Sequence, residues 1–140
     1  MSSGGEMAFD VAACREHLRV RQEREYQARE QRRQAALKAL RIAAHSVLPR
    51  FPSVRRAYLF GSVLRPGALR STSDIDVAIE GRLNAEEYFA LWRELEQAAP
   101  GWLIDLVELD RDLRFATTVR ERGELVYGHP NPDTESRHQG

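Results

Sequence analysis

The chain has 140 residues, 42% of them hydrophobic, which suits one domain with one compact core. Its 21 Lys and Arg residues equal its 21 Asp and Glu residues, so a strongly basic nucleic-acid-binding surface is not expected. The single cysteine, Cys14, excludes an internal disulfide and fits a cytoplasmic protein. The histidines and Cys14 lack the spacing of zinc ligands. We also expect neither a signal peptide nor a membrane span.

The N-terminal part of the chain predicts a long helix after a disordered segment at residues 1–9. Residues 10–48 contain no Gly or Pro and are rich in Arg, Glu, Gln, Ala and Leu, a composition that favours helix. Residues 10–36 are predicted to form a charged arm with a solvated surface, and contact with a second subunit is its alternative use. The end of the helix has an apolar stripe that can dock on a core, formed by Leu37, Leu40, Ala44 and Val47.

Residues 37–128 are predicted to form the domain proper, and residues 129–140 a disordered tail. Apolar runs predict strands over residues 54–60, 74–79 and 102–108 and a short extended piece over residues 125–127. The order is long helix, strand, strand, helix, strand, helix. That order predicts a small α+β or mixed-sheet domain.

Capping residues predict where the two later helices begin and end. Asn84 and Glu87 predict the start of the first of them, and Pro100 stops it. Asp110 is the predicted cap of the last helix, which Gly123 ends. Apolar residues recur along one face of the first of these helices, at Tyr88, Leu91, Trp92, Leu95 and Ala99. This spacing predicts that the aromatic residues Tyr88 and Trp92 belong to the core and do not stack on nucleic-acid bases.

Two aspartates, Asp74 and Asp76, lie at the start of the second predicted strand. Side chains two residues apart in a strand point to the same face, so these two carboxylates are expected side by side. Adjacent carboxylates repel one another, and a divalent cation removes that conflict. Hard oxygen ligands suit Mg²⁺, which takes one or two protein carboxylates together with phosphate oxygens and water. Alone, the pair is also compatible with a polar, solvent-facing sheet edge.

Gly61 and Ser62 directly follow the first predicted strand. A glycine permits close approach of the backbone or a positive φ angle. Ser62 can offer a hydroxyl and a backbone N–H to a phosphate, and a helix beginning there would add further free donors. Alone, this dipeptide is also compatible with an ordinary turn after a strand.

Together these motifs form one longer pattern. The pattern runs Leu59-Phe60-Gly61-Ser62, Arg65-Pro66-Gly67 and Ser73-Asp74-Ile75-Asp76-Val77. It resembles the signature of the polymerase-β-like nucleotidyltransferase superfamily, and most of all its minimal branch, which includes the antitoxins paired with HEPN-domain toxins. The resemblance covers about residues 37–127. Eleven residues separate Ser62 from Asp74, one more than in the commonest minimal pattern, which leaves open whether Arg65 or Arg70 reaches the nucleotide.

The resemblance implies a small mixed β-sheet flanked by helices and gives the motif residues their roles. Gly61 and Ser62 are implied to hold the β- and γ-phosphates of ATP, with Arg65 and Ser73 also at the nucleotide. Asp74 and Asp76 are implied to bind two Mg²⁺ ions.

The third acid of the family lies on a later strand, a place that Asp105 matches within Ile104-Asp105-Leu106-Val107. Glu108 is the second choice, because it would lie on the opposite face of a regular strand. For Asp105 itself, a solvent-facing edge position is the alternative.

The implied reaction is nucleotidyl transfer, in which an acceptor hydroxyl attacks the α-phosphorus of ATP and pyrophosphate leaves. Two metal ions can stabilise the attacking and leaving oxygens, and Asp105 is implied to hold one ion and to accept the proton. Antitoxins of the minimal branch transfer AMP to a tyrosine of a HEPN toxin, so the resemblance implies a protein acceptor of that kind. The alternatives are an aminoglycoside or a nucleic-acid end as acceptor, a binding-only antitoxin, and an assembly protein that uses the arm.

Overall fold

A computed structural model of the protein describes residues 10–130. The segment 1–9, predicted to be disordered, and residues 131–140 of the predicted tail lie outside the described part. The helices and strands follow in the order α1 (Val11–Val47), β1 (Val54–Phe60), β2 (Ile75–Gly81), α2 (Ala85–Ala98), β3 (Ile104–Glu108), α3 (Leu113–Arg122) and β4 (Glu124–Tyr127). Short 3₁₀ turns cover Leu48–Arg50, Gly61–Leu64 and Leu109–Arg111.

The strands form one mixed sheet in the order β3-β2-β1-β4. Strand β1 pairs antiparallel with β2 and with β4, whereas β2 and β3 are parallel. A parallel pair needs a crossover connection, and α2 supplies it. The prediction of an α+β domain with a small mixed sheet and a long N-terminal helix is therefore confirmed.

The sheet has a large core on one face and a small one on the other. Helices α1 and α2 cover the face that includes Leu59, Val77 and Leu106. Helix α3 covers part of the opposite face, where Tyr58 and Ala78 are buried. The predicted strand alternation explains the division, since neighbouring residues of a strand turn to opposite faces. Because α3 is short, it leaves the rest of this sheet face uncovered.

Helix α1 runs without interruption across the predicted boundary between arm and domain. Asp10 caps its N-terminus by accepting a hydrogen bond from the N–H of Ala13 at 3.1 Å. The buried residues of the helix begin at Arg33, before the predicted boundary at residue 37, and include Leu40 and Val47. A division of function between arm and domain stays a prediction, but no break in the helix marks it.

The cap predicted for α2 is confirmed, and the cap predicted for α3 is wrong. Asn84 accepts from the N–H of Glu87 at 2.8 Å, and the side chain of Glu87 accepts in return from the N–H of Asn84. Helix α3 begins later than predicted, because the buried Leu109 starts a 3₁₀ turn. Asp112 is therefore the cap, whereas Asp110 precedes the helix.

Among the helices of residues 10–130, none is both long enough and apolar enough to cross a lipid bilayer.

Candidate active site

Strand pairing brings the predicted acids together on the sheet face that α3 leaves open. Asp105 of β3 is the register partner of Asp76 of β2, and partners across paired strands project to the same face. Asp74, exposed, immediately precedes β2, and Asp105 is also exposed, whereas Asp76 is half-buried. The structure therefore places all three predicted acids beside one another at one end of β2.

The charges of the other two acids act on Asp76. Burial, followed by the negative charges of Asp105 and Asp74, raises the pKa of Asp76 above its ordinary value, and the positive charge of Arg65 partly offsets that rise. The protein thus gathers like charges at Asp76 and leaves most of their repulsion uncompensated. A site of this kind favours a bound cation.

Gly61 lies directly against the Asp76 carboxylate. Its φ angle is +78°, and a Cβ atom there would overlap Asp76 Oδ2. Any other residue would therefore have to adopt a strained backbone and displace the carboxylate. The close approach predicted for this glycine is found, and it joins the turn after β1 to the acids of β2.

The loop that follows contains the other residues predicted to contact a nucleotide. Ser62 lies in the short 3₁₀ turn, and its carbonyl accepts from the N–H of Arg65 at 3.1 Å. The exposed Arg65 is the arginine whose charge acts on Asp76. Ser73 accepts from the N–H of Arg70 at 3.1 Å, so its hydroxyl already helps to shape the loop. The turn at Ser62 is too short to supply an appreciable helix dipole.

The donors at this site suit Mg²⁺, although they do not enclose an ion by themselves. No three His, Cys, Asp or Glu side chains in the described part of the chain are grouped closely enough to hold a metal ion alone. Carboxylate oxygens from Asp76, Asp74 and Asp105 are nonetheless hard ligands, and Mg²⁺ usually completes its shell with phosphate oxygens and water. The residues therefore fit a cation that arrives with a nucleotide.

Helix α2 fixes the edge strand that carries Asp105. Trp92 Nε1 donates to the carbonyl of Ile104 at 2.8 Å, and the hydroxyl of Tyr88 donates to the carbonyl of Leu106. Glu96 accepts from the N–H of Ile104 at 2.8 Å. These side chains satisfy backbone groups of an otherwise unpaired edge. Tyr88 and Trp92 also pack against the core, as their helical spacing predicts.

A cleft of about 590 Å³ lies between the N-terminal ends of α2 and α3, and none of the three acids lines it. Val107, which shares the sheet face of Asp105, lines it together with Phe115 of α3. Glu108 and Arg111 add charge to its wall.

Sequence reasoning missed a buried acid on the same face of β2. Glu80 is fully buried and accepts hydrogen bonds from Arg120 Nε at 2.5 Å and Arg56 Nε at 2.8 Å. The hydroxyl of Tyr58 adds a long hydrogen bond of 3.4 Å. The only sequence signal is an acid at the end of an apolar strand. Nothing local in the sequence identifies Arg120 as its partner.

The family model described as Polymerase beta, Nucleotidyltransferase matches residues 43–131, a range that contains the whole site. A search of curated proteins gives no significant match. A crystal structure of a toxin-antitoxin with AMP-PNP is similar, with 26% identity and a TM-score of 0.55 over 71% of this chain and 86% of that one. The toxin-antitoxin MntA-HpeT mutant has 24% identity, the same TM-score and the same coverage. A tri-AMPylated Shewanella oneidensis HEPN toxin in complex with MNT antitoxin gives 24% identity and a TM-score of 0.51 over 73% of this chain and 86% of that one.

Proposed function

Because the chain belongs to the polymerase β nucleotidyltransferase family, we propose that it transfers AMP from ATP to a hydroxyl group of a partner protein, with Mg²⁺ as cofactor. One observation carries the proposal. Gly61, in the turn after β1, lies directly against the carboxylate of Asp76, and Asp105 is the neighbour of Asp76 in the sheet register. A triphosphate on the turn would therefore lie over the acids.

Each predicted residue has a proposed role that its position supports. Backbone and hydroxyl groups of Gly61 and Ser62 bind the β- and γ-phosphates, and the guanidinium of Arg65 adds positive charge beside them. Ser73 keeps the far end of the loop in shape through Arg70. Asp74, Asp76 and Asp105 would hold Mg²⁺, which would neutralise phosphate charge and activate the acceptor oxygen. Two ions are the number that the family resemblance implies.

The proposed transfer forms one bond to phosphorus and breaks one, and it moves one proton. The acceptor oxygen bonds to the α-phosphorus of ATP, and the bond between the α-phosphorus and the bridging oxygen of the β-phosphate breaks. Pyrophosphate leaves with the electron pair of that bond. Asp105 takes the hydroxyl proton, a role that its exposure to solvent supports.

A HEPN-type toxin is the proposed acceptor, which would make the chain its antitoxin. The similar solved complexes support this proposal, since they pair a toxin with an antitoxin and one of them contains an AMPylated HEPN toxin. The formal net charge of zero gives a nucleic-acid acceptor no general attraction. The added phosphate would place new negative charge on the toxin, which could repel an RNA substrate.

Intact-mass measurement of a HEPN protein encoded beside this chain tests the proposal. Incubation with this protein, ATP and Mg²⁺ should add one or more AMP units, and EDTA should prevent the addition. Asp76→Asn should abolish it, while Asp110→Asn, the matched change at an exposed aspartate outside the site, should not. If the toxin gains no mass and Asp76→Asn protein inhibits it equally well, the chain is a binding-only antitoxin. Modification of an aminoglycoside in place of the toxin would identify a small-molecule acceptor.

A further inference from the structure

Side chains from one short stretch of α1 hold the loop of residues 61–73, which carries Ser62 and Arg65. Arg33 Nη1 donates a hydrogen bond to the carbonyl of Val63 at 3.1 Å. The carboxylate of Glu30 accepts from the N–H of Gly67, and Arg29 Nε donates to the carbonyl of Gly67 at 3.0 Å. The loop backbone is thus anchored on both sides of Arg65.

The two central anchors also hold each other. Arg33 and Glu30 share three hydrogen bonds of 2.9 to 3.2 Å, and their side chains are only 10% and 22% exposed. A planar guanidinium bound in this two-pronged way has little freedom. Because the pair is largely shielded from water, its hydrogen bonds to the loop hold more firmly than those of an exposed pair.

Side-chain packing adds to this contact between α1 and the loop of residues 61–73. The φ angle of Gly67 is +75°, and a Cβ atom there would lie 2.6 Å from the ring of Tyr26. Farther along the loop, Arg32 Nη2 donates to the carbonyl of Ser71 at 3.2 Å, while its guanidinium lies 4.5 Å from the ring centre of Trp102. The contact therefore spans most of the loop.

We propose that Glu30 and Arg33 are positioning residues for the nucleotide, acting through the backbone at Val63 and Gly67. By holding the loop before ATP arrives, they remove the entropy cost of ordering it on binding. The inference rests on the proposed binding of ATP by this loop. It gives the stretch of α1 from Tyr26 to Arg33 a part in the nucleotide site, although none of these side chains need touch the ligand.

Calorimetric titration of the full chain with ATP and Mg²⁺ tests the role. Glu30→Ala should raise the Kd for ATP about tenfold, the effect of roughly 1.4 kcal/mol in binding. Glu30→Gln, which can still accept the hydrogen bond from Gly67, should recover most of the affinity. The matched control is Glu16→Ala, since Glu16 pairs with Arg19 on the same helix at the same spacing but is 60% exposed. Its Kd should equal that of the wild-type protein.

Transfer kinetics and hydrogen exchange separate positioning from simple stability. Glu30→Ala should raise KM for ATP far more than it lowers kcat, and the amide of Gly67 should exchange faster in the nucleotide-free protein. An unchanged Kd in Glu30→Ala, or an equal loss in Glu16→Ala, would overturn the inference and leave the proposed function intact. Failure of the wild-type chain to bind ATP would instead overturn the proposed function, and the exchange rate of Gly67 would still report on the anchor.

Discussion

Two acids on the same face of β2 have opposite surroundings. Asp76 faces other carboxylates, and its pKa is raised by burial and then by the charges of Asp105 and Asp74. Glu80 lies between two arginines. Burial alone would raise its pKa, but the hydrogen bonds and charges of Arg120, and then those of Arg56, outweigh burial and lower it.

The difference separates an acid whose charge the protein compensates from one whose charge it leaves largely uncompensated. The two arginines compensate the negative charge of Glu80 within the protein, so this carboxylate is not available to bind a ligand. At Asp76 the single arginine leaves the negative charges in excess, and that excess favours a bound cation. One end of this sheet face thus holds a compensated ionic cluster around Glu80, and the other end holds an excess of negative charge around Asp76.

The largest effect is expected when the satisfied acid is changed. Glu80→Gln should lower the free energy of unfolding by about 3 kcal/mol, because it removes a buried carboxylate that two half-buried arginines share. Urea denaturation of the wild-type and variant proteins measures the loss.

Glu124→Gln is the matched control, because Glu124 also receives two hydrogen bonds from one arginine, Arg41, but is 32% exposed. Its loss should stay below about 1 kcal/mol, as for other surface pairs. Equal losses in the two variants would contradict the distinction between a buried cluster and a surface pair.

Asp76→Asn should impair activity without lowering stability, the opposite of the loss of stability expected for Glu80→Gln. Removing a charge that its neighbours repel should leave the stability of the metal-free protein unchanged or raise it by up to about 1 kcal/mol. Transfer of AMP should nevertheless fall at least about 100-fold, because a ligand of the metal is lost. Urea denaturation measures the stability of the variant, and intact-mass kinetics on the same preparation measure the transfer of AMP. A variant that retains wild-type transfer would show that Asp76 is not a catalytic ligand.

The sequence was sufficient to predict the fold because its signals are local. Gly and Pro mark the ends of the strands, and the reciprocal cap of Asn84 and Glu87 is found as predicted. The start of α3 was mispredicted, since Asp110 and Asp112 are both acceptable caps and only the burial of Leu109 decides between them. Burial of that leucine depends on the packing of α3 against the sheet, which no local pattern encodes.

The motif pattern predicted that Asp76, Asp105 and the turn at Gly61 belong together, as the fold shows, but it did not predict the residues that support them. Glu30 and Arg33 have the same spacing as Glu16 and Arg19, yet one pair is shielded against the loop and the other is exposed. The sequence cannot distinguish them, because the difference arises from where α1 crosses the loop. For the same reason the partnership of Glu80 with the distant Arg120 became visible only in the fold.

Acidification should remove the stability that Glu80 contributes. Since its pKa in the folded protein is lowered from the ordinary 4.5, that contribution is fully present above the unfolded-state pKa and is lost as the pH falls through the folded-state pKa. The stability difference between wild-type protein and Glu80→Gln should therefore be constant near neutral pH and narrow in acid. Urea denaturation over a series of pH values measures this difference. A stability difference that grows on acidification would show that the pKa of Glu80 is not lowered in the folded protein.

The smallest effect is expected at the edge of the same cluster. Tyr58 donates to Glu80 over 3.4 Å, which is long for a bond between a hydroxyl and a carboxylate. Two arginines already occupy the carboxylate at shorter distances, so Tyr58→Phe should cost only about 0.5 kcal/mol. Because the ring of Tyr58 is buried among apolar side chains, phenylalanine keeps its packing and the denaturation experiment isolates the hydroxyl. A loss approaching that of Glu80→Gln would mean that the hydroxyl, and not the arginines alone, holds the buried charge in place.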